Sequence, residues 1–226
     1  MPNHVSTIFR MTGDKKQIAK FIEGITIVGE TQAKYDGTKE KYDFLQLLPC
    51  PPELLEVSSP VSIVSEAEYE KAKEERAADL AAKKGAAADF VRGLPLTAKR
   101  SVELIKKYGA NNWYDWMHDN IGTKWGMYDI ACRDEGAAEF FYMTAWSPAT
   151  AYFLNVSKSF KKIEFYHEFV DEGGCFVGYQ KIKNGKVIEE GSYEWKSAEG
   201  IEIRQNTGCY CEDEEDDDDE AENGVI

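Results

Sequence analysis

The chain has 226 residues, of which 42% are hydrophobic, and this is enough to build a sizeable apolar core. It contains no apolar run near the ~20 residues that a membrane-spanning helix needs, and its first residues lack the basic and apolar regions of a secretory signal. We therefore expect a globular cytoplasmic protein that does not bind a membrane.

The net charge of −14 is distributed unevenly along the chain. Ten acidic residues lie between Glu212 and Glu222, so the rest of the chain carries only −4. This run repels itself and has no apolar residue to bury, which predicts an acidic disordered tail over residues 206–226. Its role is either to solubilise the protein or to contact a basic partner. Phosphate-backbone recognition needs clustered Lys and Arg, so we expect no direct binding of nucleic acid by that route.

The five cysteines are scattered through the chain, and their odd number does not suggest a disulfide framework. We expect reduced thiols. Cys209 and Cys211 form a short CYC motif, but no second Cys or His pair stands at zinc-finger spacing. The sequence thus predicts neither a metal site nor a cofactor.

The N-terminal residues predict a βαβ unit that is complete by about residue 48. Alternate residues from Val5 to Met11 are typical of one buried face of a strand. Asp14 can cap the short helix that follows. The apolar stretch YDFLQLL then predicts a second strand, which Pro49 ends because proline cannot donate to a ladder.

Residues 53–120 predict a helical insertion. A largely solvated helix begins after Ser65, and Gly85 interrupts it. A second helix begins at Thr97 and ends at Gly109, and its apolar stripe of Val102, Leu104 and Ile105 predicts a buried face.

The third helix of the insertion begins after Asn112, which can accept hydrogen bonds from the first turn. Trp113, Trp116 and Met117 then fall on one face of that helix.

The remainder of the chain predicts a hairpin around Asp134 to Gly136, a short helix after Pro148 and three more strands. Asn184 and Gly185 favour a type I′ turn between the last two strands. The element order predicts an α+β domain over residues 1–205, with a ferredoxin-like antiparallel sheet, helices on one side and the helical insertion.

Five short motifs carry a family resemblance: MPNHV, PCPPEL, WYDWMHDNIGTKWG, TAWSP and GCFVGY. Together they resemble the YubB-type ferredoxin-like proteins of phages and conjugative plasmids, over roughly residues 1–195. The chain departs from that pattern at Ser6 or Thr7, where the family more often has Asn, and at Met117, where it more often has Cys. The resemblance implies a ferredoxin-like fold and a mobile-element origin, but no mechanism.

The tryptophan-rich stretch has two interpretations. Its indoles could stack on a planar ligand, with Lys124 contacting a phosphate and the backbone at Gly122 accepting an anion. Alternatively, the indoles close the core, as buried tryptophans commonly do. The candidate ligand-binding residues are Trp113, Trp116, Gly122, Thr123, Lys124, Trp125, Trp146 and Ser147.

Catalytic signals are sparse. His4 and Ser6 form a single H-x-S motif, whereas two-histidine phosphoesterases use a pair of such motifs. His167 alternates with apolar residues, which indicates a core position, and His118 stands beside acids without a fixed third metal ligand. We assign no catalytic residue and no metal.

The sequence therefore favours a non-catalytic accessory protein of a phage or plasmid that binds a host component in the host-cell cytoplasm. The expected partner is a host defence protein or a small nucleotide signal. The alternative is an enzyme that acts on a nucleotide or phosphodiester with His4 or His118 as general acid or base. Oligomeric state is not predicted.

Overall fold

The computed structural model describes residues 3–29, 40–82, 93–134, 136 and 138–209. Its main feature is a six-stranded antiparallel sheet in the order β4-β5-β1-β6-β7-β8. The six strands are β1 (His4–Gly13), β4 (Tyr128–Asp134), β5 (Glu139–Ala145), β6 (Ile163–Asp171), β7 (Val177–Lys183) and β8 (Lys186–Ser192). Two short strands, β2 (Ile63–Val64) and β3 (Leu96–Thr97), form a separate parallel pair.

Seven α-helices complete the described part of the chain. They are α1 (Lys15–Ile25), α2 (Pro52–Leu55), α3 (Glu66–Ala82), α4 (Ala98–Tyr108), α5 (Trp113–Asn120), α6 (Thr150–Val156) and α7 (Ala198–Thr207). Within the described residues, none is both long and apolar enough to cross a membrane.

The core lies between the sheet and the helices α1, α5 and α6. Its centre is Phe9 on β1, which is fully buried and contacts aromatic rings from both layers. The Phe9 ring centroid lies 4.9 Å from that of Phe153 on α6 and 5.8 Å from that of Phe165 on β6. This arrangement confirms the α+β class with a ferredoxin-like antiparallel sheet.

Helix α7 packs on the opposite face of the sheet and was not predicted. Ile203 buries its side chain against Val170 and Val177. Ser197 caps the helix by accepting from the Gly200 N–H. The segment has no clear apolar period, because only Ile203 of its two isoleucines is buried, and the Arg204 guanidinium lies over the Trp195 ring.

The predicted strand near residue 48 is wrong. Phe44–Gln46 forms a short 3₁₀ helix, and only a single bridge joins Thr26 to Tyr42. The Asp43 carboxylate accepts from the Leu45 N–H at 2.8 Å, and this local hydrogen bond turns the chain where a strand would need extended backbone.

The three helices predicted between residues 53 and 120 form, and the parallel strands β2 and β3, which were not predicted, stand before and after the first of them. Ser65 and Glu68 make a capping box before α3, which has no buried residue. Thr97 caps α4, and Gly109 ends it with a φ of 82°. Gly85 lies outside the described residues.

The predicted apolar stripe of α4 is wrong in part. Leu104 is buried, but Val102 and Ile105 are exposed. The side of α4 that turns inward is instead marked by Ser101, whose hydroxyl accepts from Asn111 Nδ2 at 2.9 Å.

The second half of the chain follows the sequence prediction closely. The β4–β5 hairpin, the short helix α6 and the strands β6 to β8 all form. Asn184 and Gly185 have φ values of 48° and 77°, as a type I′ turn requires. Helix α7 includes residues 206 and 207 of the segment assigned to the acidic tail, and residues 210–226 lie outside the described part.

Candidate binding groove

An apolar groove of about 450 Å³ lies between helix α5, the 3₁₀ helix and the segment that leads into α2. We call it the tryptophan groove. Its apolar walls come from three separate parts of the sequence, and they are formed by Leu45, Cys50, Leu55, Trp113, Met117 and Trp125.

Helix α5 supplies one wall because its cap fixes its direction. Asn112 Oδ1 accepts from the Asp115 N–H at 3.0 Å, and Asn112 Nδ2 donates to Asp115 Oδ2 at 2.7 Å. Trp113 and Met117, one turn apart, both line the groove. Trp116 is buried in the main core instead, so the helix divides its tryptophans between two environments.

The loop after α5 supplies Trp125. Gly122 begins the loop with a φ of 91°, which only glycine adopts without strain, and its N–H donates to the Met117 carbonyl at 3.0 Å. The buried Thr123 hydroxyl donates to the Trp125 carbonyl. Gly126 then passes so close to Leu45 that a Cβ there would lie 2.8 Å from Leu45 Cδ1.

Lys124 stands beside the groove rather than inside it. Its ammonium lies 5.0 Å from the centroid of the Trp125 ring, within range of a cation–π contact. The groove lining contains one carboxylate, Asp43, and no Lys or Arg. The lining itself therefore offers no cation to a phosphate group, and among the candidate binding residues Lys124 is the one cation.

Trp146 and Ser147 do not line the groove. Trp146 is about half exposed, has a φ of 72°, and donates its N–H to the Asn3 carbonyl at 3.0 Å. Ser147 Oγ donates to the Gly122 carbonyl at 2.6 Å. Ser147 thus holds the start of the loop that carries Trp125, whereas Trp146 is bound to the N-terminal segment.

The structure brings together only part of the predicted set. Trp113 and Trp125 share the groove, Lys124 flanks it, and Trp116 and Thr123 are buried. Sequence reasoning missed the opposite wall, because Leu45 was assigned to a strand. The signal for that wall was the PCPPELL segment, whose closely spaced prolines exclude a strand and precede the single-turn helix α2.

The thiol of Cys50 belongs to the apolar wall. Burial raises its pKa to about 11, because desolvation disfavours the thiolate. The thiol is therefore protonated at neutral pH and is not suited to nucleophilic attack.

The three histidines occupy separate environments. His4 Nδ1 lies 2.5 Å from Tyr128 Oη, and the exposed His118 ring contacts Tyr114 with centroids 4.6 Å apart. His167 is buried near Tyr142 and Phe153, and burial lowers its pKa to about 3. Among the described residues, no group of three or more His, Cys, Asp or Glu side chains is placed to hold a metal ion.

Comparison with known proteins identifies the fold of the C-terminal part. A family model described as the ferredoxin-like domain in Api92-like protein matches residues 124–223. A crystal structure of Api92 from Yersinia pseudotuberculosis aligns with a TM-score of 0.42 and 11% identity, covering 85% of this chain and 98% of that chain. No curated protein matches. The C-terminal part of the chain is therefore similar to a ferredoxin-like domain of Api92-like proteins, and of the groove walls only Trp125 falls in the matched range.

Proposed function

We propose that this protein is a non-catalytic accessory protein that binds a macromolecular partner through the tryptophan groove. The observation that carries the proposal is the groove itself, an open apolar surface with two indoles on an otherwise strongly acidic chain. Exposed apolar surface of this kind is typical of interaction sites, and tryptophan is enriched among residues that dominate binding energy.

The chemistry of the groove favours an apolar side chain of a protein over a nucleotide. An indole wall could stack on a base, but the phosphates would then meet one lysine and the Asp43 carboxylate. An inserted Leu, Met or aromatic side chain needs no such charge. The one carboxylate of the lining, Asp43, favours a partner with a Lys or Arg beside the inserted group.

The resemblance to YubB-type proteins supports the finer part of the proposal, a mobile-element origin. In that setting the partner is a host protein in the cytoplasm, and blocking a defence protein is the function that fits. Sequestration of a small nucleotide signal is the second route, and the indoles are what favour it.

The test compares partner capture by variants that differ only in the groove. Leu55 is 57% exposed at the groove, and Val102 is 67% exposed on α4, away from it. Leu55→Arg should abolish capture of a host protein that the wild-type chain enriches, because a charge in an apolar groove costs several kcal/mol of binding. Val102→Arg is the matched control and should retain that partner in quantitative mass spectrometry. Equal capture by both variants would exclude the groove as the binding site.

Two further measurements separate the alternatives. A nucleotide released on denaturation in stoichiometric amount would favour sequestration. The enzyme hypothesis requires His4 or His118, so the double variant His4→Ala and His118→Ala should keep the full biological effect of a binding protein. Loss of that effect, with the fold intact by circular dichroism, would support catalysis instead.

A further inference from the structure

One end of the sheet carries a group of lysines that the overall acidity conceals. We call it the basic end. It comprises the start of α1, the α6–β6 connection and the β7–β8 turn, and all of its lysines are exposed. The seven are Lys15, Lys16, Lys158, Lys161, Lys162, Lys183 and Lys186.

The first link in this group joins α1 to the start of β6. The Asp14 N–H donates to the Lys162 carbonyl at 3.2 Å, and the Lys162 N–H donates to Gln17 Oε1 at 3.1 Å. These two hydrogen bonds hold Lys15 and Lys16 beside Lys161 and Lys162, although about 145 residues separate them in the sequence.

The second link joins the β7–β8 turn to the end of α6. The Gly185 N–H donates to Ser157 Oγ at 2.8 Å. Gly185 also lies so close to Lys158 that an added Cβ would meet Lys158 Cγ at 2.9 Å. Lys183 and Lys186, a cross-strand pair on either side of the turn, are thereby placed next to Lys158.

The positive charge at this end is poorly neutralised. Lys183 pairs with Glu164 at 3.9 Å, and Lys158 donates to the neutral Asn155 Oδ1 at 3.0 Å. The Asp14 carboxylate, which accepts the Gln17 N–H, adds one further negative charge at this end. Within the described ranges, the other five lysines have no carboxylate within 4.0 Å.

We propose that the acidic run of the same chain, residues 212–222, binds the basic end. The proposal is independent of the tryptophan groove. Ten carboxylates in eleven residues are the complement of seven lysines with little neutralisation, and attachment to the same chain gives the run a millimolar effective concentration there. An acidic segment of another molecule would have to displace the acidic run from the basic end.

The length of the chain permits the contact. Asn206, near the end of α7, donates to Glu168 Oε2 at 3.2 Å. Glu168 lies five residues from the start of β6, which is roughly 17 Å at ~3.3 Å per strand residue. Cys209 itself packs against the Val170 cluster, and Val170 lies seven residues, roughly 23 Å, from the start of β6. The eight residue steps from Cys209 to Asp217 can span about 26 Å when extended, so the acidic run is long enough to reach the basic end.

Carbodiimide cross-linking of the full chain tests the proposal, because it joins only carboxylates and amines that already touch. We expect amide cross-links from residues 212–222 to the basic end in the monomer. Their yield should fall about tenfold between 0.1 and 1 M salt, since the screening length shrinks from ~10 to ~3 Å. The Lys183–Glu164 pair at 3.9 Å serves as an internal positive control for the reagent.

Two matched variants remove three exposed lysines each. The first, at the basic end, should lose most of the cross-links, and the second should keep them at wild-type yield. Cross-links shared equally with α4 lysines, found only in dimers, or absent while the internal control reacts would overturn the proposal. The basic-end variant is Lys161→Gln, Lys162→Gln and Lys186→Gln, and the control variant is Lys71→Gln, Lys99→Gln and Lys106→Gln.

Discussion

The aromatic side chains occupy two environments that differ in what surrounds them. In the core, Phe9 has other aromatic rings on several sides and no exposed surface. In the tryptophan groove, Trp125 has Lys124 beside it and leaves 37% of its surface exposed. Helix α5 contributes to both, with Trp116 inward and Trp113 at the groove.

The comparison separates residues that stabilise the fold from residues that are free to bind. Burial of apolar area stabilises at about 25 cal/mol per Å², so an indole with 37% of its surface exposed contributes about a third less to folding than a sealed one. Apolar surface that remains exposed in the free protein can still be buried against a partner, and that burial stabilises the complex. The groove is therefore a site where aromatic substitutions should affect binding more than stability.

The largest expected effect comes from comparing a tryptophan of the core with a tryptophan of the groove. Trp116→Ala should lower the free energy of unfolding by about 3 to 5 kcal/mol, because it leaves a large cavity in the core. Trp125→Ala should lower it by about 2 kcal/mol, because more than a third of the residue's surface is already hydrated. Urea unfolding followed by circular dichroism measures both. Similar losses in the two variants would mean that the groove wall is part of the core.

The next effect concerns the polar group inside the core. His167 is buried, and burial lowers its pKa to about 3 in the folded state. The unfolded chain has an ordinary histidine pKa of about 6.5. Between these two pH values the unfolded chain therefore binds a proton at His167 and the folded state does not. Its contribution to stability is present above pH ~6.5 and is lost as the pH falls towards ~3, with a slope of up to about 1.4 kcal/mol per pH unit.

The variant His167→Phe isolates this dependence. Phenylalanine does not titrate, and the loss of the contact to the Tyr142 hydroxyl is a constant offset. The difference in unfolding free energy between wild type and variant should therefore change steadily between pH 6.5 and 4, while other titrating groups cancel. A difference independent of pH would show that His167 is protonated in the folded state.

Sequence reasoning succeeded where local chemistry decides the structure. Asp14, Ser65 and Asn112 cap helices as predicted, and Asn184–Gly185 forms its turn, because each signal acts within a few residues. The α+β class followed from the order of such elements.

The prediction failed at one local hydrogen bond that it overlooked, and at positions where distant segments decide burial or charge. The YDFLQLL stretch is apolar enough for a strand, but Asp43 turns it into a 3₁₀ helix that becomes a groove wall. Val102 has the same spacing as a core residue, yet nothing covers that side of α4 within the described residues. The basic end shows the same limit for charge, since composition does not reveal which lysines the fold brings together.

The smallest expected effect concerns the groove loop, residues 121–126, and how firmly it is attached to the core. Ser147 Oγ donates to the Gly122 carbonyl at 2.6 Å, and the Ser147 carbonyl in turn accepts from Thr144 Oγ1 at 2.8 Å. Ser147→Ala removes the first bond, which contributes about 1 kcal/mol, and should speed local opening of the loop about fivefold.

Hydrogen exchange resolved by mass spectrometry distinguishes a local effect from a global one. Exchange in residues 121–126 should accelerate, whereas exchange in β6 should not change, because the core strands open only by global unfolding. Ser159→Ala is the control, since Ser159 is exposed and its hydroxyl makes no hydrogen bond within the described residues. Faster exchange throughout the sheet would instead make the loop part of the cooperative core, and the groove would then be a fixed feature of the fold and not a separately adjustable surface.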